Sequence, residues 1–326
     1  MDIKNQAEYY HGILRLEETE KGVRLIRFTD SEMELYSVSE ARRIRAAVCA
    51  GESIALITDA RSIRVDMTVL NISRKYADLG LYLDAVKQPK VQVGYTEPGD
   101  YSAEIALDGK KHAVEIYLPH LSEVLLRAVE VQEFTLCEPI PKKEKVLLAY
   151  GDSITQGMEA TDPAAIYPVM VARDLDMELY DFGVGGATFL PGEMADNGLK
   201  ADIVTAAYGI NDWLSSAQIP PETFRDNVRG FCRNMIALHP KAEKFVISPF
   251  WIQDKEQVKS LGNFSDLTAL VASTCAEFSA DGLHFIDGTT LVPNDRNYFN
   301  NGGVHPNELG FTYMAMRLLQ VLAPYR

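Results

Sequence analysis

The chain has 326 residues, 47% of them hydrophobic and 24% charged, with a formal net charge of −14. This composition excludes long disorder and supplies apolar material for two cores. The negative balance repels phosphate backbones and anionic lipid, so neither a nucleic-acid nor a membrane partner is expected.

The start, MDIKNQAEYYHG, lacks the apolar stretch of a signal peptide. No run approaches the ~18 apolar residues of a membrane span, and the cytoplasm is the expected location. Up to residue 138 the chain reads mostly as strands. Ile63, Val65, Met67 and Val69 alternate with polar neighbours, as do Val114, Ile116 and Leu118 within His112–Leu118; this is the period of a half-buried strand. Further strands are predicted around Val23–Phe28, Ile54–Thr58, Leu81–Asp84, Val91–Tyr95 and Glu104–Leu107, with a helix over Ser39–Cys49. Turn residues such as Glu97-Pro98-Gly99-Asp100 between short strands suit an antiparallel β-sandwich, jelly-roll-like in form. Residues 139–145, which include Pro139, Pro141, Lys142 and Lys143, read as a linker.

From 146 to 326 strands alternate with helices. The candidates are Val146–Tyr150, Leu179–Phe182, Ile203–Tyr208, Phe245–Pro249 and His284–Asp287. Near-continuous apolar runs of this kind belong to a parallel sheet covered on both faces. Phe224, Val228, Phe231, Met235 and Leu238 share one helical face, and so do Phe311, Met314, Leu318 and Leu322. The pattern predicts a doubly wound α/β sandwich with its active loops at the carboxyl ends of the strands. Cys49, Cys137, Cys232 and Cys275 form no CxxC pair; their spacing suits free thiols rather than a disulfide framework. No HExxH or clustered His/Asp set points to a metal, GxGxxG is absent, and no cofactor is implied.

Four segments could carry chemistry. Ser153, in Gly151-Asp152-Ser153-Ile154-Thr155, stands where the first strand is predicted to give way to a helix. There it either caps the helix or acts as a nucleophile whose own N–H faces developing charge. A glycine-rich turn, Gly183-Val184-Gly185-Gly186-Ala187-Thr188, follows the next strand and allows close backbone approach. Asn211, in Gly209-Ile210-Asn211-Asp212, either forms an Asx turn or donates its amide to an oxyanion. His305, in Val304-His305-Pro306-Asn307, can take a serine proton near neutral pH.

In this order the four blocks resemble those of the SGNH (GDSL) hydrolase superfamily, across roughly the second half of the chain. The resemblance implies a flavodoxin-like α/β/α fold and ester hydrolysis through an acyl-serine. Carried over by position, Ser153 is the nucleophile and His305 the general base. The oxyanion hole comprises the N–H of Ser153, the N–H of Gly186 and the Asn211 amide, while Asp152 is structural. The family usually has an aspartate three residues before the histidine; here that position is Gly302. Either a backbone carbonyl holds the ring in a Ser–His dyad, a displaced Asp295 or Asp287 reaches it, or catalysis is weakened or lost. Trp213, Phe250, Trp251 and Met158 lie beside the motif loops and either shape a substrate pocket or pack in the core.

The β-sandwich followed by this domain resembles certain carbohydrate esterases and some acyltransferases. The expected substrate is a small-molecule acyl ester, an acetylated carbohydrate first of all, cleaved by a serine esterase or deacetylase. An acyltransferase using the same residues, or a glycan-binding protein with a failed catalytic half, are the alternatives. Oligomeric state is not legible in the sequence.

Overall fold

The computed structural model describes residues 1–75, 78–215, 217–253 and 256–326. Among the described residues, eleven strands precede residue 140: β1 (Tyr10–His11), β2 (Arg15–Thr19), β3 (Gly22–Ile26), β4 (Ser53–Thr58), β5 (Ser62–Ile72), β6 (Leu79–Leu83), β7 (Val86–Val91), β8 (Gly99–Ala106), β9 (His112–Tyr117), β10 (Ser122–Gln132) and β11 (Cys137–Pro139). One antiparallel sheet has the order β2-β3-β10-β5-β8; the other runs β1-β4-β9-β6-β7, with β11 added along β4. Ile54, Leu56, Val114 and Ile116 of one sheet share a core with Ile63, Val65, Val129 and Val131 of the other. The domain is therefore a sandwich.

Three departures from the sequence expectations have local causes. β10, eleven residues long, lacks a clean alternation because its pairing with β5 slips between Glu123 and Val124 and between Leu126 and Ala128. A bulge changes which face successive side chains take, which hides a strand from a period-two reading. The strand expected at Val91–Tyr95 instead ends at Val91 and contains Pro89; it lies at a sheet edge, where a missing N–H costs no ladder bond. Asp84 (φ 49°) and Ala85 (φ 64°) turn the chain from β6 into β7, the backbone of a tight hairpin. An additional helix, α1 (Asp30–Tyr36), opens with a Thr29/Glu32 capping box, and α2 (Glu40–Ala46) follows within the expected helical stretch.

The second half forms β12 (Val146–Gly151), β13 (Glu178–Gly183), β14 (Ile203–Ala207), β15 (Glu243–Ile247) and β16 (Leu283–Ile286), all parallel, in the order β13-β12-β14-β15-β16. Helices α3 (Tyr167–Asp174), α4 (Ile210–Leu214), α5 (Pro221–Leu238), α6 (Phe264–Ala276) and α7 (Glu308–Leu322) complete it. Leu148 and Tyr150 join the core under α5 and α6, while Leu147 and Ala149 join the core under α3 and α7. Each strand is apolar on both faces because each face is covered. The first strand of the sheet lies between the second and the third, so the crossovers diverge there. In this strand order the crevice that usually takes a ligand lies at the carboxyl ends of β12 and β14.

The N-terminal sandwich is fastened to this sheet. Arg27, 2% exposed, donates to the Asp181 carbonyl at 2.6 Å and the Gly183 carbonyl at 3.1 Å of β13. Its other nitrogens donate to the carbonyls of Val48 and Arg45, both at 2.9 Å. One buried cation thus anchors the end of α2 to the sheet edge nearest the crevice.

Candidate active site

β12 delivers the chain through Gly151 and Asp152 to Ser153. The helix expected after the serine does not form. Gln156, Gly157 and Met158 donate to the carbonyls of Asp152, Ile154 and Ser153, a mixed set of spacings. Gly157 (φ 86°) and Glu159 (φ 74°) then take left-handed conformations that an α-helix excludes. Turn amides, rather than a helix dipole, face the crevice. The Asp152 carboxylate accepts the Ile154 N–H at 2.9 Å and holds this turn; burial, aided by the Asp212 charge, pushes its pKa up to about 7.

Ser153 and His305 are brought together: Oγ and Nε2 lie 2.8 Å apart, with Ser153 only 7% exposed. The histidine loop is set by the Asn300 N–H donating to the His305 carbonyl at 3.0 Å and by the Gln253 N–H donating to the Gly303 carbonyl at 2.8 Å. Burial pushes the imidazole pKa down to about 4; Glu159 opposes this, and the charges of Arg74 and Arg45 assist it. The ring is neutral at pH 7 and able to accept a proton.

Gly186 and Asn211 belong to segments that a hydrogen bond ties together. The glycine-rich turn closes with the Ala187 N–H donating to Val184 at 2.9 Å, and Gly186 has φ 88°. The Gly185 N–H donates to Gln156 Oε1 at 2.7 Å. Asn211, on the short α4 after β14, donates Nδ2 to the Ala187 carbonyl at 2.8 Å, which leaves one amide hydrogen over. Among the described residues, the N–H groups of Ser153 and Gly186 have no acceptor in the chain. The N–H groups of Ser153 and Gly186 and one amide hydrogen of Asn211 are therefore unengaged.

The other expected residues are distributed differently. Asp287 accepts the Thr289 N–H at 2.9 Å and Asp295 the Asn297 N–H at 2.9 Å; each caps its own turn and neither bonds His305. Among the described residues, no carbonyl or carboxylate hydrogen-bonds the Nδ1 of His305. Trp213 is fully buried, donating Nε1 to the Gly262 carbonyl at 2.9 Å, and Phe250 packs edge-on to Tyr167. Met158 is buried beneath Gly185. Trp251 stacks on Phe264 along a groove that also includes Asp287 and Asn263.

Sequence reasoning missed Gln156, Glu159 and three arginines of the N-terminal domain. Gln156 donates Nε2 to the Arg45 carbonyl at 2.9 Å. Arg45 and Arg42 donate to the carbonyls of Gly185 and Gly186 at 2.9 and 2.6 Å, and Arg74 pairs with Glu159 at 2.9 Å. The three-residue spacing of Arg42 and Arg45 places them on one helix face; nothing in that spacing says what the face meets.

Residues 149–312 match the model of the "GDSL-like Lipase/Acylhydrolase family". A comparison with curated proteins finds no match. Among solved structures, the chain is similar to the salicylyl-acyltransferase SsfX3 from a tetracycline biosynthetic pathway, with 20% identity over 97% of this chain and 96% of that one and a TM-score of 0.80. It is also similar to a family two carbohydrate esterase from Clostridium thermocellum in complex with cellohexaose (15% identity, 97% and 98% covered, TM-score 0.70). A third is an acetyl xylan esterase, Est2A, from the rumen bacterium Butyrivibrio proteoclasticus (14% identity, 99% and 97% covered, TM-score 0.67). These likenesses extend across both halves of the chain and are likenesses of fold.

Proposed function

The chain belongs to the GDSL-like lipase/acylhydrolase family, and from that premise we propose that it is a serine esterase cleaving small O-acyl esters, acetylated carbohydrates first among them. The observation that carries this is the 2.8 Å hydrogen bond between Ser153 Oγ and His305 Nε2. In the proposed mechanism the serine hydroxyl donates to the neutral imidazole, and Oγ attacks the ester carbonyl as the proton passes to Nε2. The N–H groups of Ser153 and Gly186 and the Asn211 amide receive the oxyanion. The imidazolium then protonates the departing alcohol, and water, deprotonated by the same ring, releases the acid and frees the serine. Residues 1–138 are assigned to the accessory sandwich, 139–145 to the linker and 146–326 to catalysis. Carbohydrate as the alcohol is supported by the likeness to a family two carbohydrate esterase and an acetyl xylan esterase.

Purified protein assayed with a chromogenic short-chain acetate and a panel of acetylated sugars tests this. Ser153→Ala should lower turnover at least ~10⁴-fold; full activity in that variant removes the serine from the mechanism. The acyl-serine can also pass to an alcohol in place of water. Added sugar acceptors distinguish the two fates: acyl transfer to the acceptor makes the protein an acyltransferase, and release of free acid alone makes it a hydrolase.

A further inference from the structure

Three arginines of the N-terminal domain gather beside the glycine-rich turn and the histidine. Arg42 and Arg45, on one face of α2, reach across from the N-terminal domain to the Gly185 and Gly186 carbonyls. A Cβ built on Gly186 would lie 3.2 Å from Arg45 Nη1 and 3.9 Å from Arg42 Nε, so both guanidinium groups flank the glycine that offers its N–H to the crevice. Arg74, from the end of β5, brings a third guanidinium, and its charge and that of Arg45 both act on His305. Glu159 is the carboxylate paired with Arg74. Among the described residues, no carboxylate pairs with Arg42 or Arg45, and each spends one donor on a carbonyl, leaving four.

Half-burying three like charges together is costly. Burial lowers the Arg45 pKa, and Arg74 and Arg42 lower it further. Bracing a glycine turn does not need this charge, since a neutral amide also donates to a carbonyl. A guanidinium with donors to spare suits a planar or tetrahedral oxyanion.

We propose that the esters turned over here carry an anionic group, a carboxylate or a phosphate, which Arg45 and Arg42 bind beside Gly186 with Arg74 adding charge. This rests on the acyl-ester function argued above and narrows its substrate class. The N-terminal domain, on this view, supplies the specificity of a site whose chemistry belongs to the other domain.

Two sets of esters test it. 4-Acetoxybenzoate and 4-acetoxyphenyl phosphate are compared with neutral 4-acetoxybenzamide, and 4-nitrophenyl hemisuccinate with 4-nitrophenyl butyrate. The expected result is a kcat/KM for at least one anionic ester about tenfold or more above its neutral counterpart, carried mainly by KM and reduced by added salt. The set that responds tells whether the charge sits on the alcohol or the acyl side, and the first set separates carboxylate from phosphate. Arg45→Gln and Arg42→Gln should erase the preference. Equal or better use of the neutral esters in both sets overturns the proposal, as does a uniform fall in kcat on every ester in the glutamine variants with the preference intact. Calorimetric titration of the anionic esters into Ser153→Ala separates this from the function itself. Salt-sensitive binding without wild-type turnover would keep the anion site and reject ester cleavage. Ser153-dependent turnover without anion preference would do the reverse.

Discussion

The side-chain amide of Gln156 joins two domains: Nε2 donates to the Arg45 carbonyl at 2.9 Å while Oε1 accepts the Gly185 N–H at 2.7 Å. Gln156 is fully buried and lies three residues after Ser153. Gln156→Leu strands the buried Gly185 N–H, at about 1–3 kcal/mol, while the Arg45 carbonyl keeps its bond from Arg27. The expected outcome is a lower melting temperature together with a kcat decrease that exceeds any KM change. Gln156→Glu keeps the acceptor for Gly185, so kcat should recover more than stability does. Equal kcat in both variants and wild type would show that the turn holds Gly186 without help.

Asn211 contributes a side-chain donor, unlike Ser153 and Gly186. Asn211→Ala should cost about 10²–10³ in kcat, the usual loss for one oxyanion donor. Its bond to the Ala187 carbonyl at 2.8 Å is lost as well, so a circular-dichroism melt must accompany the kinetics. An unchanged kcat places the oxyanion elsewhere.

In the proposed mechanism His305 is a base only when neutral. With its pKa pushed down to about 4, kcat/KM should stay level from neutral pH to about 5 and fall below that as the ring is protonated. A limb near the ordinary histidine pKa of ~6.5 would contradict the buried environment of the ring.

Gly302 occupies the position where the family places its acid. A Cβ there would meet Asn300 Oδ1 at 3.5 Å, an ordinary contact, so Gly302→Asp fits the loop. The new carboxylate should raise the imidazole pKa, visible by NMR, and increase kcat/KM at pH 7 about tenfold, part of what such an acid supplies elsewhere. An unmoved pKa would mean that the loop points position 302 away from the ring.

Stability should fall as pH rises. Burial raises Glu52 to about 8 and Asp152, Asp181, Glu193 and Asp212 to about 7. Unfolded, these groups titrate near ~4, so between about pH 4 and 8 the folded chain holds protons that the unfolded chain has already lost. Stabilisation present while they are protonated is lost as pH climbs through 7 and 8. His120 and His305, pushed down to about 4 by burial, act oppositely, but only between pH 6.5 and 4. Thermal melts should show a decline from about pH 5 to 8 that levels off above 8 and that Glu52→Gln makes shallower; a flat profile would show that these carboxyls ionise freely in the folded state.

Much of the fold was legible locally. The apolar runs of β12 to β16 announced a parallel sheet because burial on both faces leaves no polar alternation to confuse the reading. β10 was missed because its slipped register breaks the period, and the turn after Ser153 was misread as a helix because Glu159, a non-glycine residue, adopts φ 74°. A left-handed glutamate leaves no compositional trace.

The sequence by itself determined which strand ends bear Ser153, Gly186 and Asn211, and that His305 enters from the last loop. Those assignments follow from short-range periodicity and from motifs that need only neighbouring residues. Tertiary structure alone decided that Asp287 and Asp295 cap their own turns and that Trp213 packs in the core. It also decided that Arg42, Arg45 and Arg74 arrive at the crevice from the other domain. Charge exerts its effect through distance in space, and contacts spanning more than a hundred residues of chain are set by how two cores pack, which no local pattern records.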